Sequence, residues 1–251
     1  MNDIIIRATG THAPLRFVLV SIKNTITEIG EKHKAKGDAL KYMAETAVAS
    51  LLLSSGLKFP GTVCLRIDAQ ADSTPQGLIR AKPGTGTSQT MTVIALNEKS
   101  QRIKESIIEA PSRQMGVNLT AYLMQSEQTK STAGIYFDMG FLVEAYPDAS
   151  PKDLEIMDAV VRALPPLKSF SNVHELLEQL RGPYEIQIVK EITPQAYCPC
   201  SRERVIASLI SLHESEKRDM LEKDEDLDIV CDFCQTHYLV SPQSVFSTTK
   251  L

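Results

Sequence analysis

The hydrophobic positions of this chain change period several times, and each change marks an element. Residues 62–68 alternate: Val63, Leu65 and Ile67 point one way, and Thr62, Cys64, Arg66 and Asp68 the other. Such a period of two predicts a half-buried strand. Residues 15–20, Leu-Arg-Phe-Val-Leu-Val, read as another strand, and similar runs predict strands at 77–82, 90–96, 102–108, 134–138 and 141–146. Asp38 is an expected N-cap for a long helix over 39–55, rich in Ala and Leu and ended by Gly56 and Pro60. A second helix is expected over 119–128, with Leu119, Tyr122 and Leu123 on one face. Strands that follow one another with few crossover helices favour an α+β fold with antiparallel sheet over a doubly wound one.

Beyond residue 146 the pattern turns helical. Ser150 and Pro151 are an N-cap and N1 pair, followed at helical spacing by Leu154, Met157, Val160, Val161 and Leu164, with Pro165-Pro166 as the stop. Asn172 opens a second helix that carries Val173, Leu176, Leu177 and Leu180 and ends at Gly182-Pro183; residues 185–192 then read as a strand. Helices of about 12 and 9 residues are marginal alone in water, so each must dock its apolar stripe. That leaves two readings, an ordinary packed subdomain or a segment able to undock. Ser201 caps a further helix to residue 212, with Val205, Ile206, Leu209 and Ile210 apolar; a charged stretch follows at 214–228, and then a strand, a cysteine knuckle and a strand. The expected division is a mixed α/β core at 1–146, a helical linker at 147–197 and a small cysteine-bearing unit at 198–251.

Composition narrows the class. Hydrophobic residues make up 43% of the 251 and charged residues 23%, which suits a globular chain rather than a disordered one. The balance of 27 Lys+Arg against 31 Asp+Glu, net −4, weighs against a basic nucleic-acid binder. No targeting signal is read at the N-terminus. The most apolar stretch, 44–57, is broken by Glu45, Thr46, Ser50, Ser54 and Ser55 and is too short to cross a bilayer. The expected location is the cytoplasm, where thiols stay reduced.

Four of the five cysteines, Cys198, Cys200, Cys231 and Cys234, stand in the last 54 residues as Cys-x-Cys and Cys-x-x-Cys pairs. Zn²⁺ takes four thiolates at tetrahedral corners, and two pairs in tight turns can supply them, so these four are the expected ligands of one zinc ion. The first pair is one residue tighter than usual, which makes a generic zinc ribbon less apt. Residues 198–251 hold 6 Lys+Arg and 10 Asp+Glu, so this unit carries the whole net charge of −4, the wrong sign for gripping phosphates. A unit this short depends on its metal, because structural zinc contributes roughly 10–16 kcal/mol of apparent binding free energy. Oxidants attack thiolates, and a sulfenic acid on one member of a pair has its neighbour's sulfur at hand. Resolution as Cys198–Cys200 and Cys231–Cys234 disulfides would remove the ligands and couple oxidation to unfolding. Another class stays open at this point: a binding module for nucleic acid or protein in which zinc is purely structural. Catalytic residues dispersed in the N-terminal unit form no local pattern, and no enzyme is expected.

Other features carry less. Gly84-Thr85-Gly86 lacks the rest of a phosphate loop and reads as a turn. His213 and His237 lie near the cysteines, but four sulfurs already complete a tetrahedron. Cys64 is expected to be a structural thiol. Asn118-Leu119-Thr120 matches a glycosylation acceptor that would stay unmodified without secretion, and the acidic run 222–228 reads as a solvated loop.

At the cysteines the chain resembles the heat shock protein 33 family of redox-regulated holdase chaperones. The resemblance rests on Cys198-x-Cys200-Ser201-Arg202-Glu203-Arg204 and on Cys231-Asp232-Phe233-Cys234 followed by Tyr238. Weaker similarity covers 51–61 with Leu57-Lys58-Phe59, 123–128 with Ser126-Glu127-Gln128, and 139–146. The chain is short for that family between Arg80 and Thr90, and the glycine-rich turn before the last core strand is reduced to Met139-Gly140. The resemblance implies a substrate-binding core, a metastable linker and a zinc switch held by Cys198, Cys200, Cys231 and Cys234. It implies that oxidation pairs Cys198 with Cys200 and Cys231 with Cys234, releases zinc, unfolds switch and linker and promotes a homodimer. The activated form would hold unfolding client proteins without ATP, with no nucleic-acid or membrane partner.

Overall fold

Three consecutive isoleucines, Ile4 to Ile6, open the first strand, and a run apolar on both sides suits a strand covered on both faces. In the computed structural model, residues 2–84, 88–223 and 225–247 are described, and the chain forms two compact units, 1–197 and 198–251. The first unit runs β1 (Ile4–Gly10), β2 (Leu15–Ser21), α1 (Lys23–Lys32), α2 (Gly37–Ser54), β3 (Gly61–Arg66), β4 (Ala69–Ser73), β5 (Leu78–Pro83), β6 (Thr90–Asn97) and β7 (Arg102–Glu109). It continues with α3 (Met115–Ser126), β8 (Ser131–Tyr136), β9 (Met139–Ala145), α4 (Pro151–Ala163), α5 (Val173–Leu180), β10 (Ile186–Ile192) and β11 (Gln195–Ala196). A five-stranded sheet has the order β10-β1-β2-β9-β8, and a six-stranded sheet the order β11-β5-β4-β3-β6-β7. Every pairing is antiparallel except the two-residue contact of β11 with β5, so the expected α+β class with antiparallel sheet is the one observed.

The core has two layers, and β2 explains why. Its residues alternate between them: Val18 and Val20 join a cluster with α2 and the six-stranded sheet, while Leu15, Phe17 and Leu19 join a second one on the opposite face. Met43, Ala44, Ala47, Val48, Leu51 and Leu52 of α2 are fully buried in the first cluster. Met157 of α4 and Val173, Leu176, Leu177 and Leu180 of α5 fill the second against β1, β2 and β9. The two short helices thus dock the stripes that their spacing predicted, and β10 pairs with β1 along the sheet edge. Only Met157 of the α4 stripe is fully buried; Leu154 and Val161 are partly covered.

Some local expectations change. Asp38 does not cap α2: the N-cap is Lys36, without a side-chain bond, and Asp38 lies in the first turn, where its charge suits the positive end of the helix. The helix expected over 119–128 starts earlier, at Met115, and Leu119, Tyr122 and Leu123 are buried as expected. The β8–β9 turn is Phe137-Asp138, with Phe137 at φ 53°, and not Met139-Gly140. Gly140 lies inside β9, where a Cβ would sit 2.7 Å from Val48 of α2, so close packing explains that glycine. The expected turn at Gly84-Thr85-Gly86 lies largely outside the described residues. Cys64 is buried, and burial first, then the neighbouring Asp72, push its thiol up to about 12, which makes it inert. Asn118 is buried and its side chain bonds the backbone of Ser112 both ways, out of reach of any modifying enzyme. No helix among the described residues is long and apolar enough to cross a membrane.

The cap of α4 makes one prediction. The Ser150 hydroxyl accepts from the Asp153 amide at 3.3 Å, and Asp153 Oδ2 accepts from the Ser150 hydroxyl at 2.6 Å and its amide at 2.9 Å. Those bonds, the hydroxyl's first, hold the Asp153 carboxyl below its ordinary 3.8. We predict that Ser150→Ala costs about 1 kcal/mol at neutral pH in urea unfolding. A carboxylate with a depressed value contributes stability above its unfolded value and loses it as pH falls through the lower, folded one. The gap between parent and variant should therefore narrow in acid, and a gap indifferent to pH would contradict the capping box.

Candidate metal centre

The second unit comprises α6 (Arg202–Ile210), α7 (Glu214–Lys223), β12 (Leu227–Val230), β13 (His237–Val240) and α8 (Pro242–Ser247). Ser201 caps α6 as expected, its hydroxyl accepting from the Arg204 amide. The run 222–228 is not a single loop, since α7 reaches Lys223 and β12 begins at Leu227. The core of this unit is small: Leu209, Val240 and Val245 are its fully buried hydrophobic residues among those described, with seven partly buried neighbours packed around them. Its size suggests that packing alone holds the unit weakly.

The cysteines sit at two turns. Between β12 and β13 the chain folds back through Cys231 to Thr236, with the Cys231 amide donating to the Thr236 carbonyl at 2.9 Å and the Gln235 amide to the Cys231 carbonyl at 2.8 Å. Gln235 takes φ 58° to close this knuckle. Before α6, Pro199 accepts from Arg204 at 3.0 Å, and the Arg202 guanidinium donates to the Leu239 carbonyl of β13. Arg204 thus holds the Cys-x-Cys turn against the start of α6, and Arg202 ties that start to the strand that leaves the knuckle.

The four sulfurs converge. All of them lie within 4.8 Å of one another. Cys198 Sγ is 3.7 Å from Cys231 Sγ, and Cys200 Sγ is 3.2 Å from Cys234 Sγ. A tetrahedral site with metal–sulfur bonds of about 2.3 Å has edges of about 3.8 Å. The set is therefore able to hold a metal ion, and its chemistry is that of four soft thiolate donors. Any two sulfurs are near enough that distance alone does not choose a disulfide pairing.

Protonation is uneven. At Cys234 burial pushes the thiol up, but the Thr236 hydroxyl at 3.2 Å, the Thr236 amide and the nearby thiols outweigh it and bring Cys234 down to about 6. Burial pushes Cys200 up to about 12 despite the Tyr238 hydroxyl that donates to it at 3.0 Å; the adjoining thiols add to the rise. Burial likewise raises Cys198. Tyr238, bonded to Cys200, is itself raised to about 12. Of the sulfurs with a resolved shift, Cys234 is the one whose thiolate form is favoured.

His237 and His213 do not join the sulfurs. His237 faces Asp228 at 3.0 Å, and His213 bonds Ser215 at 2.8 Å. Thr236 has no place in the sequence reading, and Tyr238 enters it only through the resemblance. The sequence does hold a signal for Tyr238: in β13 it alternates with exposed His237 and Leu239 on the same side as buried Val240.

Comparison with known proteins agrees with this architecture. The 33 kDa chaperonins of Bacillus cereus (strain AH187) and Bacillus anthracis (strain CDC 684 / NRRL 3495) are each 24% identical to the chain, over 98% of it and 98% of their own length. The crystal structure of the 33 kDa chaperonin (heat shock protein 33 homolog) of Thermotoga maritima shares its fold, with a TM-score of 0.83 at 17% identity, over 100% of this chain and 98% of that one. The pattern of the family described as Hsp33 protein matches residues 3–241. The chain belongs to the Hsp33 protein family, a family of chaperones and not of enzymes.

Proposed function

We propose that this protein is a redox-regulated, ATP-independent holdase of the cytoplasm, with Cys198, Cys200, Cys231 and Cys234 holding one Zn²⁺ per chain in the reduced state. The observation that carries this reading is the convergence of four sulfurs within 4.8 Å in a unit with so little buried apolar surface. Held by these four residues, zinc would cross-link the Cys-x-Cys turn to the knuckle.

Peroxide oxidises the cysteine sulfurs. Each disulfide forms as two thiols give up two electrons and two protons to one peroxide, leaving two waters, so two peroxides convert the four thiols. The pairing proposed is Cys198–Cys200 and Cys231–Cys234, within each turn, where the connecting loop is shortest. Disulfide sulfurs are poor ligands, so the oxidised cluster no longer retains the ion and residues 198–251 unfold. Loss of that unit frees residues 147–197 to undock, and the face carrying Phe17, Leu19, Phe141 and Val143 becomes available to the apolar segments of unfolding clients and to a second copy in a homodimer. The net −4 of residues 198–251 speaks against the alternative of a zinc-stabilised nucleic-acid module.

The test is peroxide with mild heat, following zinc with a metallochromic dye, free thiols by titration and client aggregation by light scattering. Expected are zinc release, two disulfides per chain at the named pairs by peptide mapping, and suppressed aggregation. Zinc loss with aggregation unchanged would sink the chaperone reading. Salt-dependent nucleic-acid binding by the reduced protein would favour the alternative.

A further inference from the structure

A cavity of about 750 Å³ opens in the first unit between the end of α2, the β6–β7 hairpin, α3 and β9. That volume is typical of sites that enclose a small molecule. Leu52, Leu53, Val63, Val93, Leu123 and Leu142 give it apolar walls. Three stretches that carry the weaker family resemblance meet here: Leu57 to Phe59, Glu127-Gln128, and Leu142 with Glu144 to Tyr146. The metal centre accounts for none of them.

The charges around the opening are unequal. Arg16, Lys58, Lys104 and Lys130 line it, against Glu127 and Glu144. Both carboxylates are already engaged. Arg16 Nε donates to Glu144 at 2.7 Å, and Glu127 accepts from Lys104 at 2.8 Å and from the Tyr122 hydroxyl at 2.5 Å. Lys58 and Lys130 form no ion pair among the described residues. An apolar pocket with two uncompensated ammonium groups beside it matches a ligand with an apolar tail and a negative head. A neutral hydrocarbon would leave those charges unmet, and a cationic amphiphile would be repelled. An extended peptide finds no ladder to join along β3, β6 or β9, because each of these strands is paired on both sides.

We propose that this cavity binds a long-chain alkyl carboxylate, its tail against the leucine and valine walls and its head met by Lys58 and Lys130. The test is calorimetric titration of the reduced, full-length protein with dodecanoate and, separately, with dodecanol. Saturable binding of one dodecanoate per chain is expected, with dodecanol weaker. The double variant Lys58→Gln, Lys130→Gln alters two exposed side chains and should keep the parent's melting profile. It should weaken dodecanoate by about tenfold, the scale of two solvent-exposed ion pairs, and leave dodecanol nearly unchanged. Ala95→Phe, which fills the cavity, should abolish both; should that variant fail to fold, the lysine pair still decides. The proposal is overturned by absence of saturable dodecanoate binding, by dodecanol binding as tightly, or by a double variant as tight as the parent. An unstructured apolar peptide or a second copy of the chain that occupies the cavity where dodecanoate does not would overturn it too.

Discussion

Cys231→Ser is expected to leave residues 198–251 without a stable fold even when every remaining thiol is reduced. A serine hydroxyl keeps its proton at neutral pH and is a poor zinc ligand, so the tetrahedron loses a corner. Structural zinc contributes roughly 10–16 kcal/mol of apparent binding free energy, which is also folding free energy. Burying a large apolar side chain contributes only about 1.5–3 kcal/mol. Leu209, Val240 and Val245 therefore cannot replace the metal. Zinc content per chain should fall well below one. Amide exchange should become fast across α6, β12 and β13 while β2 and α2 stay protected. The variant should also suppress client aggregation partly without oxidant. Parent-like zinc content and protection would contradict the ligand assignment.

Leu176→Ala is expected to separate the linker from the switch. Leu176 is fully buried between α5 and the outer face of the five-stranded sheet. Truncating such a leucine costs about 2–5 kcal/mol, and α5 has only eight residues over which to spread that loss. The segment from α4 to β10 should exchange its amides faster, while zinc and all four thiols remain in place. If the covered face binds clients, the reduced variant should already slow aggregation. Loosened helices with no effect on aggregation would show that client binding lies elsewhere.

Much of the fold was legible, and the exceptions share a cause. β3 announces itself by alternation, Val63 and Leu65 against Thr62, Cys64 and Arg66, and α5 by four apolar residues at helical spacing with Asn172 as its cap. β1 was missed because Ile4-Ile5-Ile6 is apolar on both faces and does not alternate. β4, Ala-Gln-Ala-Asp-Ser, has no β-branched residue, and neighbours on both sides decide its conformation. α7 buries no residue completely, so its sequence, Glu-Ser-Glu-Lys-Arg-Asp, read only as a charged stretch. The cysteine cluster was legible because its members come in two local pairs. The hydrogen bonds that set the acidity of each sulfur were not, since Thr236 and Tyr238 matter only through their positions on the knuckle and β13. The cavity was illegible for a stronger reason: its walls are drawn from residues between Arg16 and Ala149, and no spacing rule relates them.

The last dozen residues before Cys198 tie the first unit together in an unusual way. β10 lies along β1 at the border of one sheet, and two residues later β11 adds a short parallel contact to β5 at the border of the other, prolonged by the Tyr197 amide bonding the Ile79 carbonyl. This stretch acts as a seam sewn across both sheets, and its C-terminal stitch is the weakest. Tension from the chain beyond residue 197 therefore meets two rungs of β11 before it meets β10. Were β10 to peel back, β1 would be the outermost strand of its sheet, with a free row of amides and carbonyls beside three isoleucines. Such a border accepts a foreign strand by backbone pairing, which is indifferent to the sequence it receives.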